Sequence, residues 1–160
     1  MRTNNSKVKN TIISVYFILM VLAIVFATVF KVFTDLTRNP TLTFLLIAFG
    51  FALLFILVHF ISKYFEYDSD GLKVVVINRG LLISEKYNYR EYKLEFEKDQ
   101  LYGFKFNNYI VYKTLTFYLK DHRDRKTSEV FNVTLVSRKK RRYIKQSLSK
   151  MIKMNKNKTD

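Results

Sequence analysis

The chain has 160 residues, of which 49% are hydrophobic, and a formal net charge of +15 at pH 7. It contains no Cys, which excludes disulfide bonds, thiolate metal sites and cysteine nucleophiles. Its two His and four Gly offer neither a Ser/His/Asp arrangement nor a glycine loop that would cradle a phosphate. We therefore expect a protein that is not an enzyme and that has no cofactor, no metal site and no small-molecule substrate.

Two long apolar segments in the first half of the chain predict membrane-spanning helices. Residues 11–30 run for 20 residues without a charge, and residues 40–62 run for 23 without Asp, Glu, Lys or Arg. A spanning helix needs about 20 apolar residues to cross about 30 Å of hydrocarbon. We predict a transmembrane hairpin over residues 1–64, with helices at about 11–33 and 40–63. A cleaved signal peptide is the alternative for the first segment, but its apolar run exceeds the usual 7–15 residues or so.

The distribution of basic residues predicts the orientation of this hairpin. Three basic residues precede the first helix, two lie in the connection, and 23 follow Ser62. By the positive-inside rule, we expect a multi-pass protein of the cytoplasmic (inner) membrane whose N- and C-termini both lie in the cytoplasm. No charged residue lies within either span, which argues against transport by this chain alone. His59, near the end of the second span, is interpreted as a residue that reaches the headgroup region.

The remaining residues have the pattern of a small β-rich domain. The runs "YKLEFEK" and "TLTFYLK" alternate apolar and polar side chains, and "GLKVVVI", "GLLISEKY", "LYGFKF" and "VFNVTLV" are further candidate strands. We predict six or seven short antiparallel strands, followed by a helix that Ser137 caps and that continues to Met154. Residues 155–160 are expected to form a disordered basic tail.

The predicted C-terminal helix is amphipathic and carries most of the excess charge. Residues 138–160 contain ten basic residues and one acidic residue, whereas residues 63–137 contain 13 and 11. A helix of this kind either lies on a membrane or packs its apolar half on a sheet. We expect its polar half to contact anionic phospholipid headgroups or an acidic partner. The predicted contact residues are Arg138, Lys139, Arg142, Lys145, Lys150 and Lys153.

Three stretches carry a resemblance to a known family. They are "YDSDGLKVVVINRGLLIS", "YKLEFEKDQLYGFKF" and the ending "VFNVTLVSRKKRRYIKQSLSKMI". Placed after a two-helix hairpin, they resemble the bacterial pleckstrin-homology-like domain proteins of the cytoplasmic membrane. The resemblance implies an α+β membrane protein in which residues 65–154 form a small antiparallel barrel closed by the final helix. The wider superfamily binds inositol phosphates through the first strand-strand loop, but here that loop offers Arg79 alone, so this activity is not expected.

Two other features are given their simpler interpretation. Asp121, His122 and Asp124 have the chemistry of metal ligands, but the cations at Arg123 and Arg125 would repel a metal, and the loop is interpreted as a solvated hairpin tip. Aromatic residues beside Lys and Arg could stack on nucleic acid, but most of them are needed for the spans and the core.

These patterns lead to three functional hypotheses. The first is a membrane-anchored binding or scaffold protein on the cytoplasmic face, which acts through anionic-lipid contact and through assembly with itself or with another membrane protein. The alternative is a small accessory subunit of a larger membrane transport or secretion complex. A nucleic-acid-binding membrane protein is the remote third hypothesis, since a basic patch alone is a weak signal.

Overall fold

The computed structural model describes residues 1–33, 39–81, 91–121 and 125–159 of the chain. The chain divides into two compact units. One unit combines Met1–Lys7 with Lys63–Asp160, and the other consists of Val8–Ser62. The second unit is therefore an insertion in the sequence of the first.

The inserted unit is a pair of long helices, α1 (Lys9–Phe33) and α2 (Pro40–Ile61). Their bounds agree with the predicted helices to within two residues. Both helices are long and apolar enough to cross a membrane, with a mean hydropathy of 2.8 in each. The predicted loop between them, which contains Asp35 and Arg38, lies outside the described residues.

Aromatic side chains hold α1 and α2 against each other. Near one end of the pair, the rings of Tyr16 and Phe55 stack with centroids 6.1 Å apart. Near the other end, the rings of Phe30 and Phe44 lie 5.2 Å apart. Because early residues of α1 meet late residues of α2, the two helices run antiparallel as a hairpin.

The other unit contains two antiparallel sheets. The first sheet has four strands in chain order, namely β1 (Arg2–Asn4), β2 (Lys63–Asp68), β3 (Lys73–Gly80) and β4 (Tyr92–Glu97). The second has three strands in chain order, namely β5 (Leu101–Asn108), β6 (Lys113–Lys120) and β7 (Lys126–Asn132). The predicted α+β class with antiparallel sheets and a C-terminal helix is confirmed. Within the described residues, no backbone hydrogen-bond ladder joins the two sheets, so the predicted closed barrel is not found. A short 3-10 helix at Lys98–Gln100 lies between β4 and β5 and separates the sheets.

Strand β1 is an element that the sequence analysis does not predict. It pairs with β2 in the register Arg2 with Asp68, Thr3 with Tyr67 and Asn4 with Glu66. A three-residue strand is too short to show an alternating pattern, and its partner lies beyond both apolar helices. The N-terminal residues thus belong to the sheet rather than to the helical hairpin.

The core of this unit lies between the two sheets and the C-terminal helix. The predicted alternation in β4 is confirmed for Phe96, which is buried, and for Leu94, which packs partly buried against the core, whereas Tyr92 at the start of the strand is 44% exposed. Fifteen buried hydrophobic residues form the core, namely Phe65, Tyr67, Val74, Val76, Phe96, Leu101, Leu115, Phe117, Leu119, Phe131, Val133, Val136, Ile144, Leu148 and Met151. The candidate strand "GLLISEKY" falls mostly within residues 82–90, which are not described.

The C-terminal helix α3 (Arg138–Thr159) begins where the sequence predicts. The hydroxyl of Ser137 accepts a hydrogen bond from the backbone N–H of Lys140 at 3.4 Å, which is the geometry of an N-cap. The helix then continues to Thr159, where the sequence predicted a disordered tail from residue 155. The side-chain amide of Asn155 explains the difference, because it donates to the backbone oxygens of Lys98 at 2.7 Å and Leu101 at 2.9 Å.

Candidate functional site

The six cations predicted as contact residues are all exposed on α3, because the apolar half of the helix faces the core. Ile144 and Leu148 are fully buried, and Met151 is 8% exposed. Because these buried residues are three or four positions apart, they share one face of the helix. The basic residues therefore occupy the opposite face. The exposed cations are Arg138, Lys139, Arg142, Lys145, Lys150 and Lys153.

Half of these cations line a shallow groove between α3 and the second sheet. We call it the basic groove, and its volume is about 950 Å³. Its lining residues are Phe104, Lys105, Phe106, Asn108, Lys113, Arg138, Arg141, Arg142 and Lys145. The helix contributes its cations at a spacing of three or four residues, which places them side by side on one face. Lys139, Lys150 and Lys153 are not among the lining residues.

Three groove cations were missed by the sequence analysis. Lys105 lies within β5 and Lys113 lies at the start of β6, and an isolated basic residue in an alternating strand gives no signal by itself. They come together because β5 and β6 pair antiparallel, with Asn108 opposite Lys113. Arg141 lies on α3 between the predicted residues, and its position toward the sheet depends on packing that the helical wheel does not show.

The electrostatics of the basic groove favour an anion. None of the described residues that line it is acidic. The ion pairs in the described part of the chain, such as Arg2 with Glu66 and Lys93 with Glu95, involve none of its cations. Cations that line the same groove repel each other, and an anion bound in the groove would relieve that repulsion.

Arg141 is a partly buried cation of the groove that contacts the second sheet. Its Nη1 lies 3.5 Å from the side-chain oxygen of Asn108. Its Nε is buried and has no hydrogen-bond acceptor among the described residues. The neighbouring Lys140 has a different role, since its ammonium donates to the backbone oxygen of Asn4 and helps to hold the N-terminal segment.

An exposed apolar turn adjoins the basic groove. We call residues 109–112, which connect β5 to β6, the hairpin tip. The backbone N–H of Tyr109 donates to the oxygen of Tyr112 at 2.9 Å, and the two rings stack with centroids 4.6 Å apart. Ile110 between them is completely exposed, at 104% of its reference area. The residues on either side of the tip, Asn108 and Lys113, both line the groove.

The other residues considered from the sequence lie elsewhere. The guanidinium of Arg79 sits 4.7 Å from the ring centroid of Tyr64, and its Nη1 is 3.9 Å from a carboxylate oxygen of Glu91. Arg79 therefore has a structural contact on the sheet. His59 lies in the last turn of α2. His122 and Asp124 lie outside the described residues, so the loop interpretation there stays a prediction.

A second cluster of polar residues fixes the N-terminal segment. The hydroxyl of Tyr64 donates to one carboxylate oxygen of Glu66 at 2.6 Å, and the guanidinium of Arg2 donates to the other at 2.7 Å. Burial, followed by the hydrogen bond to Glu66, raises the pKa of Tyr64 to about 12. Glu66 is only 9% exposed, and its two donors compensate for much of the cost of burying its charge.

Comparisons of the chain with models of protein families, with curated proteins and with solved structures find no match. The functional inference therefore depends on the exposed apolar helices, the basic groove and the hairpin tip.

Proposed function

We propose that the protein is a membrane-anchored binding or scaffold protein. In this proposal α1 and α2 span the cytoplasmic membrane, and the β-rich unit is a pleckstrin-homology-like domain on the cytoplasmic face. The domain contacts anionic phospholipid headgroups through α3 and assembles with itself or with another membrane protein.

The observation that carries the proposal is the exposure of two long apolar helices. Among the described side chains of α1 and α2, Ile12 alone is buried. Large side chains such as Phe17 and Phe49 are each 63% exposed. Apolar surface costs roughly 25 cal/mol per Å² in water, and contiguous exposed patches this large mark membrane or protein contacts. Lipid tails would cover both helices.

The connectivity of the two units supports an even number of membrane crossings. Met1–Lys7 and Lys63–Asp160 belong to one compact unit, so the inserted segment leaves and returns to the same unit. Two spanning helices satisfy this condition, whereas one spanning helix would separate β1 from β2. The 23 basic residues after Ser62 favour the cytoplasm for that unit.

The arrangement of strands supports the pleckstrin-homology-like assignment of the domain. A four-stranded and a three-stranded antiparallel sheet precede one C-terminal helix, and that helix packs its apolar face on the core. One departure from the expected domain at residues 65–154 is that its first strand, β1, comes before the apolar helices in the chain.

The orientation is tested by labelling single cysteines, which is possible because the chain has none of its own. Thr37→Cys, in the connection outside the described residues, should react with an impermeant maleimide in intact cells whose outer layer is permeable. Ser128→Cys, at an exposed position on β7, should react only after lysis. The opposite pattern would reject the cytoplasmic placement, and release of the chain by an alkaline carbonate wash would reject the anchor.

The mass of the purified protein separates scaffold from accessory subunit. We expect the full chain, extracted in a mild detergent, to have a mass that is a small multiple of 19.1 kDa. A stoichiometric foreign membrane protein in the same particle would instead favour the accessory subunit of a transport or secretion complex.

A further inference from the structure

We infer that the hairpin tip and the basic groove form one membrane-docking surface. The tip inserts into the interfacial layer of an anionic bilayer, and the groove binds the phosphate groups of its lipids. This inference rests on the proposed function, because it requires the domain to be held at a membrane, and it specifies which part of the domain touches that membrane.

The sequence of the hairpin tip is unusual for a turn. The backbone hydrogen bond from Tyr109 to Tyr112 leaves two central residues in this turn, and two-residue turns between antiparallel strands favour Gly, Asn and Asp, which adopt turn conformations at low cost. Here the two central residues are Ile110 and Val111, both β-branched, and both are exposed. Departures from local sequence rules are expected where function requires them. An apolar environment that covers the tip would account for these residue types.

The two tyrosines that flank the central pair suit the boundary between lipid and water. Each has an apolar ring and a polar hydroxyl, and Tyr is enriched at membrane interfaces for this reason. Tyr109 and Tyr112 are half exposed, at 50% and 45%. Their stacking and the hydrogen bond between their backbones give the tip a defined shape before it meets a bilayer.

The cations lie where a bilayer that holds the tip would present its phosphates. Lys113 directly follows Tyr112, and Asn108, which precedes Tyr109, lies within 3.5 Å of the Arg141 guanidinium. The apolar tip and the groove are therefore continuous on the surface. The described residues that line the groove include six cations and no carboxylate, and this charge complements an anionic lipid surface. A neutral apolar partner would leave these charges uncompensated.

Another exposed apolar residue on the same domain lies among balanced charges and serves as a control. Leu72, in the turn between β2 and β3, is 93% exposed. It shares a shallow pocket with two carboxylates, Glu97 and Asp99, and with two cations, Lys73 and Lys98. These four charges cancel, so the surface around Leu72 offers an anionic bilayer no net attraction, and exposure of an apolar side chain alone does not define the docking surface.

The first experiment uses the full chain in lipid nanodiscs. An environment-sensitive dye is attached to Ile110→Cys or, as the control, to Leu72→Cys. With anionic phospholipid in the disc, we expect a blue-shifted emission at position 110 and protection from a neutral aqueous quencher. Position 72 should stay accessible. With purely zwitterionic lipid, position 110 should also be accessible.

The second experiment uses two matched sets of charge reversals. The groove set is Arg138→Glu, Arg142→Glu and Lys145→Glu, and the control set is Lys139→Glu, Lys150→Glu and Lys153→Glu. Each set changes three exposed cations on α3 and shifts the net charge by six units, and each includes one position in the first turn. The groove set should lower the ratio of docked to undocked tip at least about a hundredfold, because the loss of each cation at an anionic surface costs about fivefold and the three new carboxylates add repulsion. The control set should have a much smaller effect, since screening acts over about 8 Å at physiological salt.

Three results would overturn the inference. They are equal exposure of position 110 in anionic and zwitterionic discs, equal effects of the two charge-reversal sets, and protection of position 110 only when another protein is added. The circular dichroism of the tyrosines shows whether each variant is folded. If the groove set unfolds the domain, a dye on Val111→Cys with Ile110→Asp provides the test, and unchanged protection there would reject insertion of the tip. A chain that does not enter nanodiscs at all would reject the membrane anchor of the proposed function instead.

Discussion

Replacing Asn5 by Ala should destabilise the β-rich unit, although Asn5 lies before both apolar helices in the sequence. Its side chain is 2% exposed. The side-chain oxygen accepts from the backbone N–H of Phe65 at 2.9 Å, and the amide nitrogen donates to the backbone oxygen of Lys63 at 2.9 Å. Ala would leave a buried N–H without this acceptor, which costs ~1–3 kcal/mol, and would lose a second bond of ~1 kcal/mol. The expected loss of unfolding free energy is therefore ~2–4 kcal/mol.

Urea unfolding of the full chain in detergent, followed by the circular dichroism of the tyrosines, measures this loss. With a slope of ~2 kcal/mol per molar urea, in the middle of the usual range, the loss corresponds to a midpoint lower by ~1–2 M. Asn4→Ala is the matched control, because the Asn4 side chain accepts only local hydrogen bonds from Ser6 in the described residues. Its midpoint should change little. An Asn5→Ala midpoint equal to that of the unchanged chain would show that the N-terminal segment is not held to β2 in solution.

Two further predictions concern the helix and the tyrosine cluster. Leu148→Asp would place a charge at a fully buried position of the core and should abolish the cooperative urea transition. The control, Ser149→Asp at the exposed neighbouring position, should preserve that transition. A cooperative transition in the Leu148 variant would mean that α3 is undocked. Because the pKa of Tyr64 is raised to about 12 in the folded protein from 10.0, its contribution to stability is complete below pH 10 and is lost as the pH rises toward 12. In Tyr64→Phe the unfolding free energy should fall less steeply over that pH interval, and identical slopes would contradict the raised pKa and with it the burial and hydrogen bonding of the Tyr64 hydroxyl.

The elements that the sequence predicts well are those in which one local period determines burial. The apolar runs of α1 and α2 have no charged interruption, so length and composition suffice to place them. The alternation in β4 and the amphipathic pattern of α3 report directly which side chains are buried. Ser137 marks the start of α3 because its hydroxyl satisfies a backbone N–H that the helix leaves free.

The features that the sequence does not reveal depend on contacts between distant residues. Strand β1 gains its stability from β2, and the last turn of α3 is held by Asn155 and the backbone around Lys98. No pattern within either segment reports its partner. Propensity alone is a weak guide for such segments, because tertiary contacts override it.

The candidate site divides in the same way. The exposure of the α3 cations follows from the helical period, so the sequence identifies that face. The sequence does not show which of these cations line the groove, because the groove also requires Lys105 and Lys113 from the second sheet. Sequence reasoning misses the hairpin tip because Tyr109, Ile110, Val111 and Tyr112 are residue types that favour strands. Their exposure appears only when the turn is placed at 109–112.

The pairing of β1 with β2 also constrains the order of folding. Asn5 and Phe65 are 60 residues apart in the sequence, and both apolar helices lie between them. Closing a loop of that length carries an entropic cost that is repaid only when β2 is present. If α1 and α2 insert as a membrane hairpin, that hairpin brings its two ends to the same side and shortens the effective loop. Membrane insertion would then precede and assist the completion of the first sheet, so a chain in which α1 and α2 fail to insert should also leave Met1–Lys7 accessible to proteolysis.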